Sequence, residues 1–167
     1  MRSPGSTSVI VVSTGEEGTR RIAAGVSRAA NAGDFIALVG ELGTGKTQFV
    51  KGFSEGLGVP PEVVDSPSFV LLNEYEGRLP VFHFDAYRLE GDPEELSEAG
   101  FFDERLAEGV VLVEWADRMS DYIPEHALWI RIAIEEKTQR RLICLHEPSP
   151  YVRGYLPKGD EPFLFRE

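Results

Sequence analysis

The chain of 167 residues has a single cysteine, Cys144. One thiol cannot close an intrachain disulfide, which favours a reducing compartment. Within Leu142-Ile143-Cys144-Leu145 that thiol reads as a small buried hydrophobe rather than a nucleophile. Histidine is scarce too, with three in the chain. His83, His126 and His146 lie far apart and no Cys/His ligand spacing occurs, so a zinc site is not expected. No apolar run approaches the length needed to span a membrane. The polar opening, Met1 to Thr7, lacks the apolar core of a secretion signal. A cytoplasmic location is the expectation. Positive charge is also short: 17 Lys and Arg against 28 Asp and Glu give a formal net charge of −11. Such a surface repels polyphosphate backbones, so nucleic acid is reached, if at all, through a basic partner.

Apolar residues make up 42% and charged residues 27% of the chain, the balance of an ordinary globular domain long enough to bury a core. Within it stands Gly40-Glu41-Leu42-Gly43-Thr44-Gly45-Lys46-Thr47, which fits the phosphate-binding pattern G-x-x-x-x-G-K-[ST]. Phe35 to Val39 before it reads as a buried strand. Phe49, Val50, Phe53 and Leu57 after it recur at helical spacing. In that setting the glycines turn successive backbone N–H groups inward at a helix N-terminus, which makes an anion nest. Lys46 then reaches the outer phosphates of a nucleotide and the Thr47 hydroxyl reaches Mg²⁺. Glu41, Leu42, Gly43, Thr44, Gly45 and Gln48 complete the candidate phosphate-binding segment.

Around this motif the pattern predicts strands at Val9–Ser13, Val70–Tyr75, Pro80–Asp85, Val110–Val113, Leu128–Ile134 and Arg141–Leu145. Helices are expected at Glu16–Ala32, after Lys46, and from Asp92-Pro93, where Asp caps and Pro opens the first turn. Glu76-Gly77-Arg78 marks a hairpin turn. The expected fold is α/β: one P-loop nucleotide-hydrolase domain over residues 1–147, with a mixed, mostly parallel sheet flanked by helices and carrying a hairpin. Residues 148–167 are rich in Pro and aromatics and are expected to run as an extended tail, with a partner-docking arm as the alternative.

A P-loop binds phosphate, but hydrolysis also requires a carboxylate that holds Mg²⁺ or orients water. Two strand ends offer one. In Val81-Phe82-His83-Phe84-Asp85, period two puts Val81, His83 and Asp85 on one face. In Val110-Val111-Leu112-Val113-Glu114 the acidic residue follows a fully apolar run. Each has a plainer alternative: a cap or an ion pair with Arg88 for Asp85, and an exposed strand end for Glu114. Ser66 and Ser68 lie where nucleotide switches present hydroxyls to phosphate or metal, and ordinary turn chemistry around Pro67 is the alternative.

The P-loop, Ser66-Pro67-Ser68-Phe69, Asn73-Glu74-Tyr75, His83-Phe84-Asp85-Ala86-Tyr87-Arg88-Leu89, Glu94-Glu95-Leu96 and Glu114-Trp115 occur in that order. Together they resemble the TsaE (YjeE) family, the small bacterial ATPase of tRNA threonylcarbamoyladenosine biosynthesis. The likeness covers about Thr14 to Trp115, and nothing after Pro148 matches. It implies Mg²⁺-dependent binding and slow hydrolysis of ATP, in company with a threonylcarbamoyl transferase subunit and its non-catalytic paralogue. The modification lies next to the anticodon, and the ATPase resets or activates that assembly without transferring the group itself. By the same resemblance Lys46, Asp85 and Glu114 are the catalytic set, Thr47, Glu114 and Asp85 the Mg²⁺ set, and Trp115 lies near the site or a partner surface. The family usually has Thr where this chain has Ser68, which keeps the hydroxyl. A P-loop small-molecule kinase is the alternative, although no Arg-rich lid stands out. The absence of any Asn-Lys-x-Asp element argues against guanine specificity.

Overall fold

The computed structural model describes residues 8–67, 71–89 and 91–157. The strands are β1 (Val9–Ser13), β2 (Phe35–Val39), β3 (Leu72–Tyr75), β4 (Val81–Asp85), β5 (Val110–Glu114), β6 (Leu128–Ile134) and β7 (Arg141–Leu145). The helices are α1 (Glu16–Arg28), α2 (Lys46–Gly56), α3 (Pro93–Glu98) and α4 (Pro150–Tyr155), with short 3₁₀ segments between them. The strands form one sheet in the order β1-β7-β6-β2-β5-β4-β3.

The two central strands, Phe35-Ile36-Ala37-Leu38-Val39 and Val110-Val111-Leu112-Val113-Glu114, are buried along their whole length. Their apolar runs serve both faces of the sheet, as a covered parallel strand requires. Ile36, Leu38, Val110 and Leu112 face a core built with Ile22 and Val26 of α1 and Phe49, Val50 and Phe53 of α2. Phe35, Ala37, Val111 and Val113 face a second core with Phe84, Leu89, Leu96 and Phe101. The alternation expected for β4 holds: Val81 joins the first core, and Phe82 and Phe84 join the second.

The parallel pairings are confined to β6-β2-β5-β4. The pairs β1–β7, β6–β7 and β3–β4 are antiparallel. The sheet is therefore parallel at its centre and antiparallel toward both edges, less parallel than expected. Two of the three antiparallel pairs, β3–β4 and β6–β7, are hairpins, where a short turn reverses direction and a crossover would keep it; the third joins the first and last strands.

Several boundaries differ from expectation for local reasons. Helix α1 stops at Arg28 because the Ala30 amide bonds back only three residues, to Ser27, and the Asn31 amide is taken by the Asp34 carboxylate at 2.8 Å. Strand β3 starts at Leu72 because Leu71 has φ 67°, off the extended region. Residues 148–157 do not run extended. The Ser149 hydroxyl caps α4 through the Val152 amide, Pro150 occupies the first turn, and Leu156 is buried in the core against α1. The part of the expected tail beyond residue 157 lies outside the described residues, as does Ser68. Cys144 is half-buried, because Ile143 and Leu145 on either side of it turn into the core.

Helices α1 and α2 cross at Gly52, where a Cβ would stand 2.3 Å from the Arg20 carbonyl oxygen. Gly52→Ala is expected to lower the unfolding free energy by about 1–3 kcal/mol through overpacking. Urea denaturation checks this, with a lower midpoint at unchanged slope as the expected result.

Candidate functional site

Strand β2 delivers the chain into the glycine loop, and β4 and β5 end beside it. In the parallel register Leu38 is opposite Glu114, and Glu114 is opposite Asp85. Both carboxylates therefore sit at the C-terminal ends of adjacent strands, on the sheet face that α2 covers. This is the crevice where open α/β sheets hold their ligands.

The loop owes its shape to its glycines. Gly43 and Gly45 have φ 80° and 108°, values that side chains resist. At Gly40 a Cβ would lie 2.4 Å from the Ile132 carbonyl oxygen, so the loop leans on β6 at closer range than any larger residue allows. Gly45 is the N-cap residue of α2 and no side chain caps the helix, which leaves the first-turn amides for a ligand. Leu42 is 80% exposed at the crest of the loop, so its side chain is not part of the cradle. Glu41, Gly43 and Thr44 shape the segment mainly through the backbone. The Glu41 carbonyl accepts the Thr44 hydroxyl at 3.0 Å.

Lys46 is buried, and its ammonium donates to the Gly40 carbonyl at 2.6 Å and the Glu41 carbonyl at 2.9 Å. The same nitrogen lies 4.0 Å from the centre of the Trp115 ring. Trp115 follows Glu114 with φ 58°, a left-handed kink that swings the indole back over the loop. Tyr87 packs on that indole at 4.9 Å between ring centroids, and the Arg118 guanidinium lies over both rings. Burial lowers the Lys46 pKa below its ordinary value. The charges of Glu114, Asp85, Asp117 and Glu41 oppose that shift, in that order of strength, without cancelling it. Thr47 and Gln48 lie in the first turn of α2, both half-buried, and Gln48 Oε1 is a buried acceptor with no hydrogen-bond partner among the described residues.

Asp85 is 3% exposed and is held from two sides. The Ser66 hydroxyl donates to Oδ2 at 2.8 Å and the Tyr87 amide donates to Oδ1 at 2.8 Å. Asp85 thus does cap a turn, and it also anchors the loop carrying Ser66. Glu114 is not an exposed strand end. It is 2% exposed, and its Oε1 has no hydrogen-bond partner among the described residues. Among the described residues the nearest cation-forming group is His83, whose Nε2 lies 3.6 Å away and has no hydrogen-bond partner among them. Tyr75 lies on the far side of that imidazole. The Tyr75–His83 link and the Tyr87–Arg118 stack on Trp115 were not among the expected site residues. The sequence signals for His83 were the face it shares with Asp85 and its place in the His83-Phe84-Asp85 motif, neither of which pointed to Glu114.

The donor set fits a hydrated Mg²⁺ bound with phosphates. A buried carboxylate oxygen with no partner, a helix-first-turn hydroxyl and an uncapped amide nest are what such an ion needs when phosphate and water complete its shell. Among the described residues no group of three or more Asp, Glu, His or Cys could hold an ion by itself, so the phosphates are an essential part of the fit. No helix among the described residues is long and apolar enough to cross a membrane.

Fold and site together define an α/β protein with a P-loop at the end of a central parallel strand. A family model described as "Threonylcarbamoyl adenosine biosynthesis protein TsaE" matches residues 13–143, and the chain belongs to that family. The tRNA threonylcarbamoyladenosine biosynthesis protein TsaE of Bacillus subtilis is 43% identical over 117 residues, 70% of this chain and 72% of its own length. The Treponema pallidum protein of the same name is 37% identical over 123 residues, 74% of this chain and 90% of its own. The Aquifex aeolicus protein is 35% identical over 136 residues, 79% and 93% respectively. Among solved structures, the Bacillus subtilis protein YdiB superposes with a TM-score of 0.71 at 32% identity, covering 92% of this chain and 94% of its own.

The Lys46 environment yields a pH prediction. Phosphate attracts the charged ammonium, so the attraction fades as pH rises through the lowered pKa of Lys46. Glu114 is the strongest of the charges holding that pKa up. Glu114→Gln should therefore shift the Lys46 titration to lower pH. The Lys46 ¹³Cε chemical shift, followed against pH, measures this, and an unmoved or higher midpoint contradicts it.

Proposed function

We propose that the chain binds Mg²⁺-ATP in the loop 40–47 and hydrolyses it as an accessory subunit in the formation of N6-threonylcarbamoyladenosine on tRNA. The observation that carries this reading is the register that sets Asp85 opposite Glu114 at the strand ends beside the P-loop strand. The backbone from Glu41 to Thr47 and the Gln48 amide cradle the phosphates. Lys46 neutralises charge that builds up on the outer phosphates as the bond breaks. Thr47 and Glu114 hold the metal, which supplies Lewis-acid polarisation of the phosphoryl oxygens. Asp85, tied to Ser66 and the Tyr87 amide, keeps the neighbouring loop against the metal side of the site. Ser66 and Ser68 belong to a switch-like loop.

The partners in this reading are the threonylcarbamoyl transferase subunit and its non-catalytic paralogue. The net charge of −11 supports tRNA contact through those partners rather than through this surface. A cytoplasmic setting follows from the substrate. A small-molecule kinase reading has no specific observation in its favour.

Two variants test the assignment in an ATPase assay with the partners present and absent, alongside nucleotide affinity. Lys46→Ala should weaken ATP binding about 10–100-fold, the loss of a charge-assisted hydrogen bond worth about 1.5–3 kcal/mol. Glu114→Ala should keep ATP affinity within about threefold while hydrolysis falls about 100-fold or more. Undiminished turnover in Glu114→Ala would move the metal or water role to Asp85. Phosphoryl transfer to a metabolite faster than hydrolysis would replace the ATPase reading with a kinase.

A further inference from the structure

His83 is fully buried in the middle of β4, yet each of its ring nitrogens faces a polar group. Nδ1 lies 3.1 Å from the Tyr75 hydroxyl, and Nε2 lies 3.6 Å from Glu114 Oε1. The second distance is too long for a hydrogen bond, and neither atom of that pair has another hydrogen-bond partner among the described residues. Leaving two buried polar atoms unsatisfied face to face is costly. The Tyr75 hydroxyl has a second neighbour, the Asp65 carbonyl at 3.1 Å, which also receives the Asn73 amide at 3.2 Å. Asp65 begins the short loop whose next residue, Ser66, holds Asp85.

A phenol has one proton to give. If Tyr75 gives it to Asp65, His83 must donate from Nδ1 to the phenol oxygen. Nε2 then turns a lone pair toward the carboxylate, which accounts for the gap of 3.6 Å. If Tyr75 gives its proton to Nδ1, the imidazole hydrogen sits on Nε2 and points at Glu114. The pair can then close to about 2.8–3.0 Å. The Asp65 carbonyl keeps Asn73 as donor, so the exchange leaves no backbone acceptor stranded. Burial raises the Tyr75 pKa, so the phenol retains its proton in either arrangement.

From this geometry we infer that His83 is the positioning residue for Glu114 and that Tyr75 links its tautomer to the seat of the Asp65–Pro67 loop. With the loop holding Tyr75, Glu114 is loosely placed. With Tyr75 released to His83, the Nε2–H fixes the carboxylate where metal or water meets it. This rests on the nucleotide-hydrolysis reading for its purpose, but its structural core can be read without hydrolysis.

The test is ¹⁵N NMR of the His83 ring, without ligand and with Mg²⁺ and a non-hydrolysable ATP analogue. The expected result is the Nδ1–H tautomer in the free protein and the Nε2–H tautomer in the bound one. Tyr75→Phe should abolish the change. One tautomer in both states, or a change that survives Tyr75→Phe, overturns the inference. In the activity arm, His83→Leu should lower kcat at least tenfold with ATP affinity within threefold. His83→Gln, whose amide nitrogen reaches the place of Nε2, should recover most of that loss. Equal losses in both variants that track a fall in Tm would reduce His83 to a packing role and overturn the inference. A wild-type chain that binds the analogue but never hydrolyses ATP would defeat the ATPase reading, and the tautomer result alone would then decide the linkage.

Discussion

Everything at this site depends on the parallel register of three strands. Because β2, β5 and β4 run side by side in the same direction, Leu38, Glu114 and Asp85 end level with one another. The chain leaving β2 must turn there, and glycine is the residue that lets it turn through Gly43 and Gly45 with φ well into the left-handed region. The carboxylates leaving β4 and β5 face the start of α2 for the same reason. A shift of one residue in either pairing would carry Asp85 or Glu114 to the opposite face, into the core with Phe84 and Val113. The apolar runs of β2 and β5, buried on both faces, fix that register, so core packing and site geometry are one constraint.

The electrostatics around Lys46 show which effect dominates. Removing an ammonium from water costs several kcal/mol. Two charge-assisted hydrogen bonds to the Gly40 and Glu41 carbonyls each return about 1.5–3 kcal/mol, and a partly desolvated contact with Trp115 adds up to about 2. The balance is close, and burial outweighs the surrounding carboxylate charges in setting the direction of the Lys46 pKa. A polyanionic phosphate chain placed at the loop would reverse it, which is why the same environment that strains the free lysine favours an anionic ligand. The acidic residues around the loop have the opposite role. They keep Lys46 charged while discouraging extended polyanions from the rest of the surface.

The P-loop was legible because its glycines, Lys46 and Thr47 have roles fixed by local backbone geometry. Asp85 and Glu114 were legible as the polar ends of short apolar runs. The hairpin turn at Gly77 was legible as well, though not its docking against the Leu57 carbonyl, where a Cβ would stand 2.6 Å away. What escaped depends on register. His83 is opposite Leu112, so Glu114 is its diagonal neighbour across the β4–β5 pair, a relation that no spacing within one strand encodes. The left-handed kink at Trp115 escaped for a similar reason. An aromatic residue resists that conformation, and only the surrounding packing with Tyr87 and Arg118 holds it there. The helix α4 was readable in Ser149-Pro150, a capping residue followed by a first-turn proline, but the wealth of Pro and aromatics nearby suggested an extended path.

The central claim is that glycine loop, Thr47 and strand-end carboxylate form a single metal-nucleotide site. A crystal structure with a non-hydrolysable ATP analogue and Mn²⁺ in place of Mg²⁺, the ion located by its anomalous signal, tests it most directly. The account predicts phosphates on the amides from Gly43 to Thr47, and the ion at about 2.1–2.2 Å from Thr47 Oγ1 with Glu114 in its first or water-bridged shell. A nucleotide bound away from the loop, or an ion held without Thr47 and with both carboxylates turned aside, would contradict it.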